Sequence, residues 1–296
     1  MHRWLQRLRH LLDYIIYYKD WHKVAAVRLG LLQEAQVRLR GHEYCPLRLT
    51  RELYPTLSAI TYLLTHGASF DPCHKTLVLE YHGRRAIFTN IYIYDAAYPS
   101  NLFVVYIEGE YAFLDVDDKT VVDIGASAGD TAIYFALNGA RKVVAFEANP
   151  YLCRILKKNI EANNLSSRVE AVCAAAALRA TETSTTFCVN RRWSTGSRIA
   201  GQSGCRPEEE PITVPVAKPP PADTAKLDCE GCEYDIILNM DEPMYGEIGL
   251  EYHGPPQPLI EHLESLGYKV RILRESNVKG WQEWHKQGVL HAILRR

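Results

Sequence analysis

Along the first twenty residues Trp4, Leu5, Leu8, Leu11, Leu12, Ile15 and Ile16 recur every three or four positions, while Arg3, Arg7, Arg9 and Asp13 fall mostly off that stripe. This is the pattern of an amphipathic helix. Apolar periodicity over 24–37 and 52–65 predicts two more helices, so residues 1–66 read as a helical N-terminal appendage. From Thr76 the period shortens. Residues 76–81 and 84–89 around His82-Gly83 predict a hairpin, and 101–107 and 111–116 predict further strands, making 67–117 a segment of lead-in β-strands. After Thr120 the chain alternates: strand 120–124, helix 131–137, strand 142–146, helix 150–163, strand 168–174. The alternation resumes with strand 225–227, helix 234–239, strand 248–252, helix 257–266 and strands 268–272 and 289–294. Apolar strands separated by helices imply a parallel sheet covered on both faces, so the fold class is α/β, with residues 118–296 as its main domain. Between the two runs, 201–224 carries Gly201, Gly204, Pro207, Pro211 and Pro219-Pro220-Pro221, which predicts a loop or an edge segment.

Composition narrows the class. With 47% hydrophobic and 23% charged residues, the chain is globular rather than disordered or fibrous. No apolar run is long enough to span a membrane, and the start of the chain is not built as a signal peptide, so a cytoplasmic location is expected. Net charge is -1, yet residues 1–51 hold ten basic against four acidic side chains, an excess of +6. Such a region suits a solvated helix face, an acidic partner, RNA, or peripheral membrane contact through residues 1–20. The eight cysteines are too dilute for a disulfide framework and read as reduced, mostly buried thiols. Cys229 and Cys232 have C-x-x-C spacing, but no second Cys or His pair completes a zinc site, and neither zinc binding nor redox work is expected there.

The chemistry concentrates at predicted strand ends. Asp123-Ile124-Gly125-Ala126-Ser127-Ala128-Gly129 places an acidic residue and a small-residue loop between a strand and a helix, where open parallel sheets bind nucleotides. The G-x-x-x-G spacing differs from the G-x-G-x-x-G of dinucleotide sites, and Asp123 would repel a diphosphate while favouring a cation. At the end of the next strand, Glu147-Ala148-Asn149-Pro150 offers a carboxylate suited to both hydroxyls of a ribose, followed by a helix cap and a helix-starting proline. A cationic, adenosine-containing cofactor that suits both loops is S-adenosylmethionine, leaving S-adenosylhomocysteine as product.

These motifs, together with Lys226-Leu227-Asp228-Cys229-Glu230-Gly231-Cys232-Glu233, resemble the FkbM family of class I methyltransferases, whose patterns are D-I-G-A-x-x-G, E-x-N-P and K-x-D-x-E-G-x-E. Glu251-Tyr252-His253 and the helix and strand that follow also look like that family, and the resemblance covers about residues 118–273. It implies a Rossmann-like sheet ordered 3-2-1-4-5-7-6 with strand 7 antiparallel. The implied activity is O-methylation of a hydroxyl on a sugar, glycolipid or other small-molecule acceptor. One departure is Lys218 to Thr224, KPPPADT, where the family carries a T-L-D-D-like segment.

Methyl transfer to a hydroxyl needs alignment and a proton acceptor. Asp228, Glu230, Glu251 and His253, at the ends of adjacent strands, are the candidate catalytic residues, with Asp228 equally suited to hold the methionyl amine. Cofactor contacts fall to Asp123, Gly125, Ala126, Ser127, Gly129, Glu147, Ala148 and Asn149. Glu230 and Glu233 have a structural alternative, pairing with Lys226, and His253 could serve only as a turn hydrogen-bonder. No metal is required, although a divalent ion bridging Asp228, Glu230 and Glu251 is chemically reasonable. Arg191, Trp193 and Ser194 are candidates for acceptor contact. Two other functions compete. The E-x-N-P segment and its helix also resemble archaeal tRNA guanine methyltransferases, although no N-P-P or D-P-P-Y tetrad follows the fourth strand. The second is a non-catalytic adenosine-binding scaffold.

Overall fold

The computed structural model describes residues 11–91, 97–179, 182–190, 196–200, 204–279 and 284–295. The chain divides into two compact units, 1–108 and 109–296.

In the first unit residues 11–17 are helical. The side chains that bury are Tyr14 and Tyr18, whereas Leu12 and Ile16 are exposed. This corrects the predicted stripe for a physical reason: the tyrosine rings fill the core and still satisfy their hydroxyls, Tyr14 on Tyr54 and Tyr18 on Thr61 at 3.0 Å. Trp4, Leu5 and Leu8 lie outside the described residues. The second predicted helix is also shorter. α1 (Trp21–Arg28) stops where Gly30 takes a φ of 76°, and β1 (Glu34–Val37) then pairs antiparallel with β2 (Leu47–Thr50). The appendage is therefore not all helical. After α2 (Tyr54–Thr65), strands β3 (Ser69–Asp71), β4 (Thr76–Tyr81) and β5 (Arg84–Phe88) form a meander that contains the expected hairpin. The strands predicted over 101–107 and 111–116 do not form. Tyr98, Leu102, Val105 and Tyr106 bury at helical spacing in α3 (Ala97–Phe103) and the π-turn Val104–Glu108, and 111–114 is a turn.

The second unit is built on seven strands ordered β15-β16-β14-β13-β6-β7-β8, with every pair parallel except those made by β16. This is the 3-2-1-4-5-7-6 sheet. Its central strands are β6 (Thr120–Ile124), β7 (Lys142–Phe146), β13 (Ala222–Leu227) and β14 (Tyr245–His253), with β8 (Val169–Val172), β15 (Tyr268–Lys279) and β16 (Trp284–Leu294) outside them. The helices α4 (Asp130–Leu137), α5 (Pro150–Ala162), α6 (Cys232–Leu238) and α7 (Gln257–Ser265) connect the strands. The apolar strand residues Val122, Ile124, Ala225, Leu227, Ile248 and Leu250 are buried in the core.

A second sheet was missed by the sequence reading. β9 (Ala175–Ala176), β10 (Ser184–Val189), β11 (Arg198–Ile199) and β12 (Glu210–Ala217) form four strands ordered β11-β10-β12-β9. β12 lies inside the stretch expected to be loop or edge. It tolerates Pro211 and Pro215 because both point outward and β9 flanks it only at Val216 and Ala217, leaving most of one side without a ladder.

All eight cysteines are paired: Cys45–Cys73, Cys153–Cys173, Cys188–Cys205 and Cys229–Cys232, with Cα separations of 5.3 to 5.7 Å. The expectation of reduced thiols is thus corrected. Three of the four pairings join residues 17 to 28 apart, and only the folded chain brings them together. Among the described residues no helix is long and apolar enough to cross a membrane.

Asn149 caps α5, its side chain accepting from the Tyr151 amide at 3.0 Å, with Pro150 as the first helical residue. Asn149→Ala is expected to lower unfolding free energy by about 1 kcal/mol. Urea denaturation measures it, and an unchanged midpoint would contradict the cap.

Candidate active site

The site forms where the tips of β6, β7, β13 and β14 meet. The β6 and β7 loops are stitched by backbone: the amides of Gly125 and Ala126 both donate to the Phe146 carbonyl, at 3.0 and 2.9 Å. Gly125 (φ 78°) is needed for close packing rather than for a ligand, because a Cβ there would lie 1.8 Å from the Asp228 carbonyl oxygen. Gly129 likewise faces Leu156. The fully buried Asn159 of α5 donates to the Ala128 carbonyl at 2.8 Å and clamps the loop from behind.

Glu147 sits at the tip of β7, 7% exposed. Its Oε2 accepts from the Ser127 amide at 2.8 Å and its Oε1 from the Asn149 amide at 2.7 Å, so one carboxylate ties the two loops together. Burial pushes its pKa up to about 7 against the pull of those amides. Each oxygen keeps a lone pair for a further donor. The Ser127 hydroxyl and one Asp130 carboxylate oxygen are buried without a hydrogen-bond partner, so the loop has unused polar capacity. Ala148 packs against the core of the small sheet.

Beneath the loops lies Lys226, 1% exposed. Its ammonium donates to the Gly125 carbonyl at 2.7 Å and stands 3.3 Å from Asp123 and 3.9 Å from Asp228. It also lies 5.6 Å from the Tyr111 ring centre, a cation–π contact. Burial alone would lower its pKa, but Asp123, Asp228 and Asp130 more than offset that and hold it charged. Asp123 is fully buried and also accepts from Thr131 at 2.6 Å, so it balances Lys226 and does not itself face the cleft. Glu230 and Glu233, expected as alternative partners of Lys226, pair with His253 instead.

The four catalytic candidates do gather. His253 Nδ1 lies 3.2 Å from Glu233, which is fully buried, and Nε2 lies 3.8 Å from Glu230. Burial would depress the imidazole, but the Glu233 hydrogen bond and the charges of Glu230 and Asp228 raise it to about 10. At neutral pH His253 is a cation, so it is a charge partner rather than a proton acceptor. Burial pushes Glu230 up to about 7 against the attraction of His253, with repulsion from Asp228 and Glu233 adding to the rise. Glu251 reaches about 7 through burial and repulsion from Asp228, while its Oε1 accepts from Gln287 at 2.7 Å. Asp228 receives the Tyr111 hydroxyl at 3.3 Å.

Ligand atoms of Asp228, Glu251 and His253 all lie within 4.8 Å of one another, a set able to hold a divalent ion once the imidazole loses its proton. Glu230, expected in such a set, is replaced there by His253. Cys188, Cys205 and Glu209 also cluster, but the two sulfurs are bonded to each other. Beside Glu230 opens a cavity of about 490 Å³ that reaches the small sheet; its lining includes Arg179, Glu182, Ser184, Thr185, Glu230 and Asp235.

Arg191, Trp193 and Ser194 lie outside the described residues. Of their neighbours, Arg198 pairs with Glu209 at 3.1 Å and Ser197 accepts from the Asn190 amide at 3.0 Å. Sequence reasoning missed Tyr111, Gln287 and the Glu110–Arg274 pair, which reach the site from distant segments. It also undervalued Lys226, although a lysine inside an apolar strand signals a buried charge that must be paired.

The sheet order and the loops at its strand tips are those of the class I methyltransferase architecture. The Methyltransferase FkbM domain family matches residues 123–270, half of the chain, and the chain belongs to that family. Shorter likenesses are to "Uncharacterized protein 158B" of Sulfolobus islandicus rod-shaped virus 1 (43% identical over 53 residues, 18% of this chain and 34% of that protein) and to the ribosomal protein L11 methyltransferase of Colwellia psychrerythraea (39% over 57 residues, 19% and 20%). The chain thus spans about a third or less of the length of these curated relatives. The crystal structure of Pyrococcus horikoshii TYW2 in complex with MeSAdo is similar over 92% of this chain and all of that chain, at 16% identity and a TM-score of 0.43.

Removing one partner of a buried charge pair leaves the other uncompensated, so Lys226→Met is expected to cost about 3–5 kcal/mol of stability. Adding Asp123→Asn should recover part of that. Chemical denaturation of both variants reads the effect, and a Lys226→Met protein as stable as the parent would remove the pair from its central place.

Proposed function

We propose that the protein transfers a methyl group from S-adenosylmethionine to a hydroxyl of a neutral, polyhydroxylated acceptor such as a sugar or a glycolipid headgroup. The observation that carries this reading is the concentration of carboxylates at the cleft. Among the described residues, Asp228, Glu230, Glu233 and Glu251 lie about the His253 imidazolium, with Lys226 paired to Asp228, and the lining of the adjoining cavity includes Glu182, Glu230 and Asp235 with one cation, Arg179. Such a field favours a sulfonium cofactor and disfavours an acceptor carrying phosphates beside the reacting hydroxyl.

The polar groups with spare hydrogen-bonding capacity fit this cofactor. Glu147 would accept the ribose hydroxyls, Ser127 and the 125–129 backbone would flank the amino-acid end, and Asp228 would take the methionyl amine. When bound, the cofactor supplies an electrophilic methyl carbon. This chain's part is to align the acceptor oxygen, exclude water and take up its proton. Glu230 is the proton acceptor in this reading: it lines the cavity, and its pKa near 7 suits a general base at neutral pH. His253, held by Glu233, offsets the negative charge that develops there.

A second reading, methyl transfer to RNA, draws on the basic excess of residues 1–51. It requires acceptor binding that weakens steeply with salt. Formation of S-adenosylhomocysteine from any acceptor would exclude the scaffold reading. Four disulfides favour an oxidising compartment or the interior of a hyperthermophile over an ordinary reducing cytoplasm.

Glu147→Gln is expected to weaken S-adenosylmethionine binding roughly tenfold or more, because hydrogen bonds to a charged acceptor contribute about 1.5–3 kcal/mol. Calorimetry measures it, and equal affinity would remove the ribose role. Methyl transfer by the parent should rise as pH passes through about 7, where Glu230 loses its proton. Glu230→Gln should lose that step along with roughly 10²–10⁴-fold in kcat, and a parent-like pH profile in this variant would exclude Glu230 as the base.

A further inference from the structure

The Cys229–Cys232 bond differs from the other three disulfides in where it lies and in what it holds. It closes a separation of 3 residues, against 17, 20 and 28 for the others. Disulfides restrain the unfolded chain less the shorter the loop they close, so this bond contributes least to the fold. Both of its cysteines line the cavity, where a small thiol can reach them, whereas Cys153 and Cys188 are fully buried; the half-buried Cys45–Cys73 pair differs in closing the longest separation, 28 residues.

Between the two sulfurs run Glu230 and Gly231, both in the left-handed region with φ of 56° and 115°. A non-glycine residue is seldom found there, and the covalent closure helps keep the Glu230 backbone in place. Cys229 Sγ also lies 3.4 Å from Glu233 Oε2, and that oxygen accepts from the Gly231 amide at 2.8 Å. The other oxygen of the same carboxylate holds His253. One small ring therefore fixes both the proposed base and the imidazolium beside it.

We propose that Cys229–Cys232 is a reversible thiol–disulfide exchange site, reduced by a small dithiol, whose state sets the placement of Glu230 and His253 and so the rate of methyl transfer. This rests on the reading of the cleft as the acceptor site. A thiolate of the reductant attacks one cysteine sulfur, breaks the S–S bond and forms a mixed disulfide, expelling the other cysteine as a thiolate that takes up a proton. The second thiol of the reductant then displaces the remaining cysteine. The reductant leaves as its cyclic disulfide, and two electrons and two protons end on the cysteine pair. In the reduced protein Cys229 carries an S–H beside Glu233, a new donor to the carboxylate that orients His253, and Glu230 loses its covalent closure.

The test is graded dithiothreitol treatment of the folded full chain, with reacted cysteines mapped by alkylation and mass spectrometry. Cys229 and Cys232 are expected to react first, while the other six stay paired. In that selectively reduced protein the His253 ring and Glu230 backbone resonances, followed by NMR, should move from their positions in the oxidised protein. Its kcat should fall on the order of tenfold, as a small misplacement of reacting groups does, with KM for S-adenosylmethionine little changed, and oxidised glutathione should restore both properties. Cys229→Ser with Cys232→Ser should behave as the reduced form and ignore dithiothreitol. Resistance of this pair after the other three have opened, or unmoved His253 and Glu230 resonances on its reduction, would overturn the proposal. Thiol mapping and the His253 and Glu230 resonances need no acceptor, so failure of the methyltransferase reading would show separately, as no heat on titrating S-adenosylmethionine into the oxidised protein.

Discussion

A single buried ammonium organises the second unit. Lys226 lies near the carboxyl end of a parallel strand, where desolvation penalises its charge heavily, and it is retained because the surroundings supply two carboxylates, an aromatic face and a backbone carbonyl. Those partners come from three segments: β6 and its loop, the end of β13, and the turn that carries Tyr111. Satisfying the charge therefore registers the strand tips against one another. The bare α-carbon of Gly125 reflects the same constraint, since it lets the β6 loop close onto Asp228.

Above this pair the site runs an excess of negative charge. Its carboxylates are buried or half-buried, and desolvation raises the proton affinity of Glu147, Glu230 and Glu251 into the neutral range. In isolation that arrangement is electrostatically costly. It becomes favourable when a cation enters, which is why a sulfonium suits it better than a diphosphate would, and Glu230, which lines the cavity, is poised to exchange a proton near neutral pH.

Much of this was legible in the sequence because it is local. The β6–α4–β7–α5 unit follows from strand periodicity, the small-residue loop, and the Asn149-Pro150 cap and start, and the structure reproduces it within a residue or two. The order of the seven strands matches what the family resemblance implies. What escaped was non-local. The small sheet depends on pairing between β10 and β12, whose prolines imitate a loop. The disulfides join cysteines with no recognisable spacing apart from Cys229 and Cys232, and there the C-x-x-C pattern was set aside for want of a second metal-ligand pair. His253 is expected from the sequence to be either a base or a turn former, but its charge is held by Glu233, a residue twenty positions away for which the sequence offers Lys226 as an alternative partner, together with Glu230 and Asp228.

The measurement that tests the central claim most directly is a crystal structure of the protein with S-adenosylhomocysteine bound. The account predicts the ribose hydroxyls on the Glu147 carboxylate, the thioether sulfur directed toward Glu230 and the cavity, and Lys226 still seated between Asp123 and Asp228. A ligand bound away from the tips of β6 and β7, or one that leaves Glu147 untouched, would contradict it.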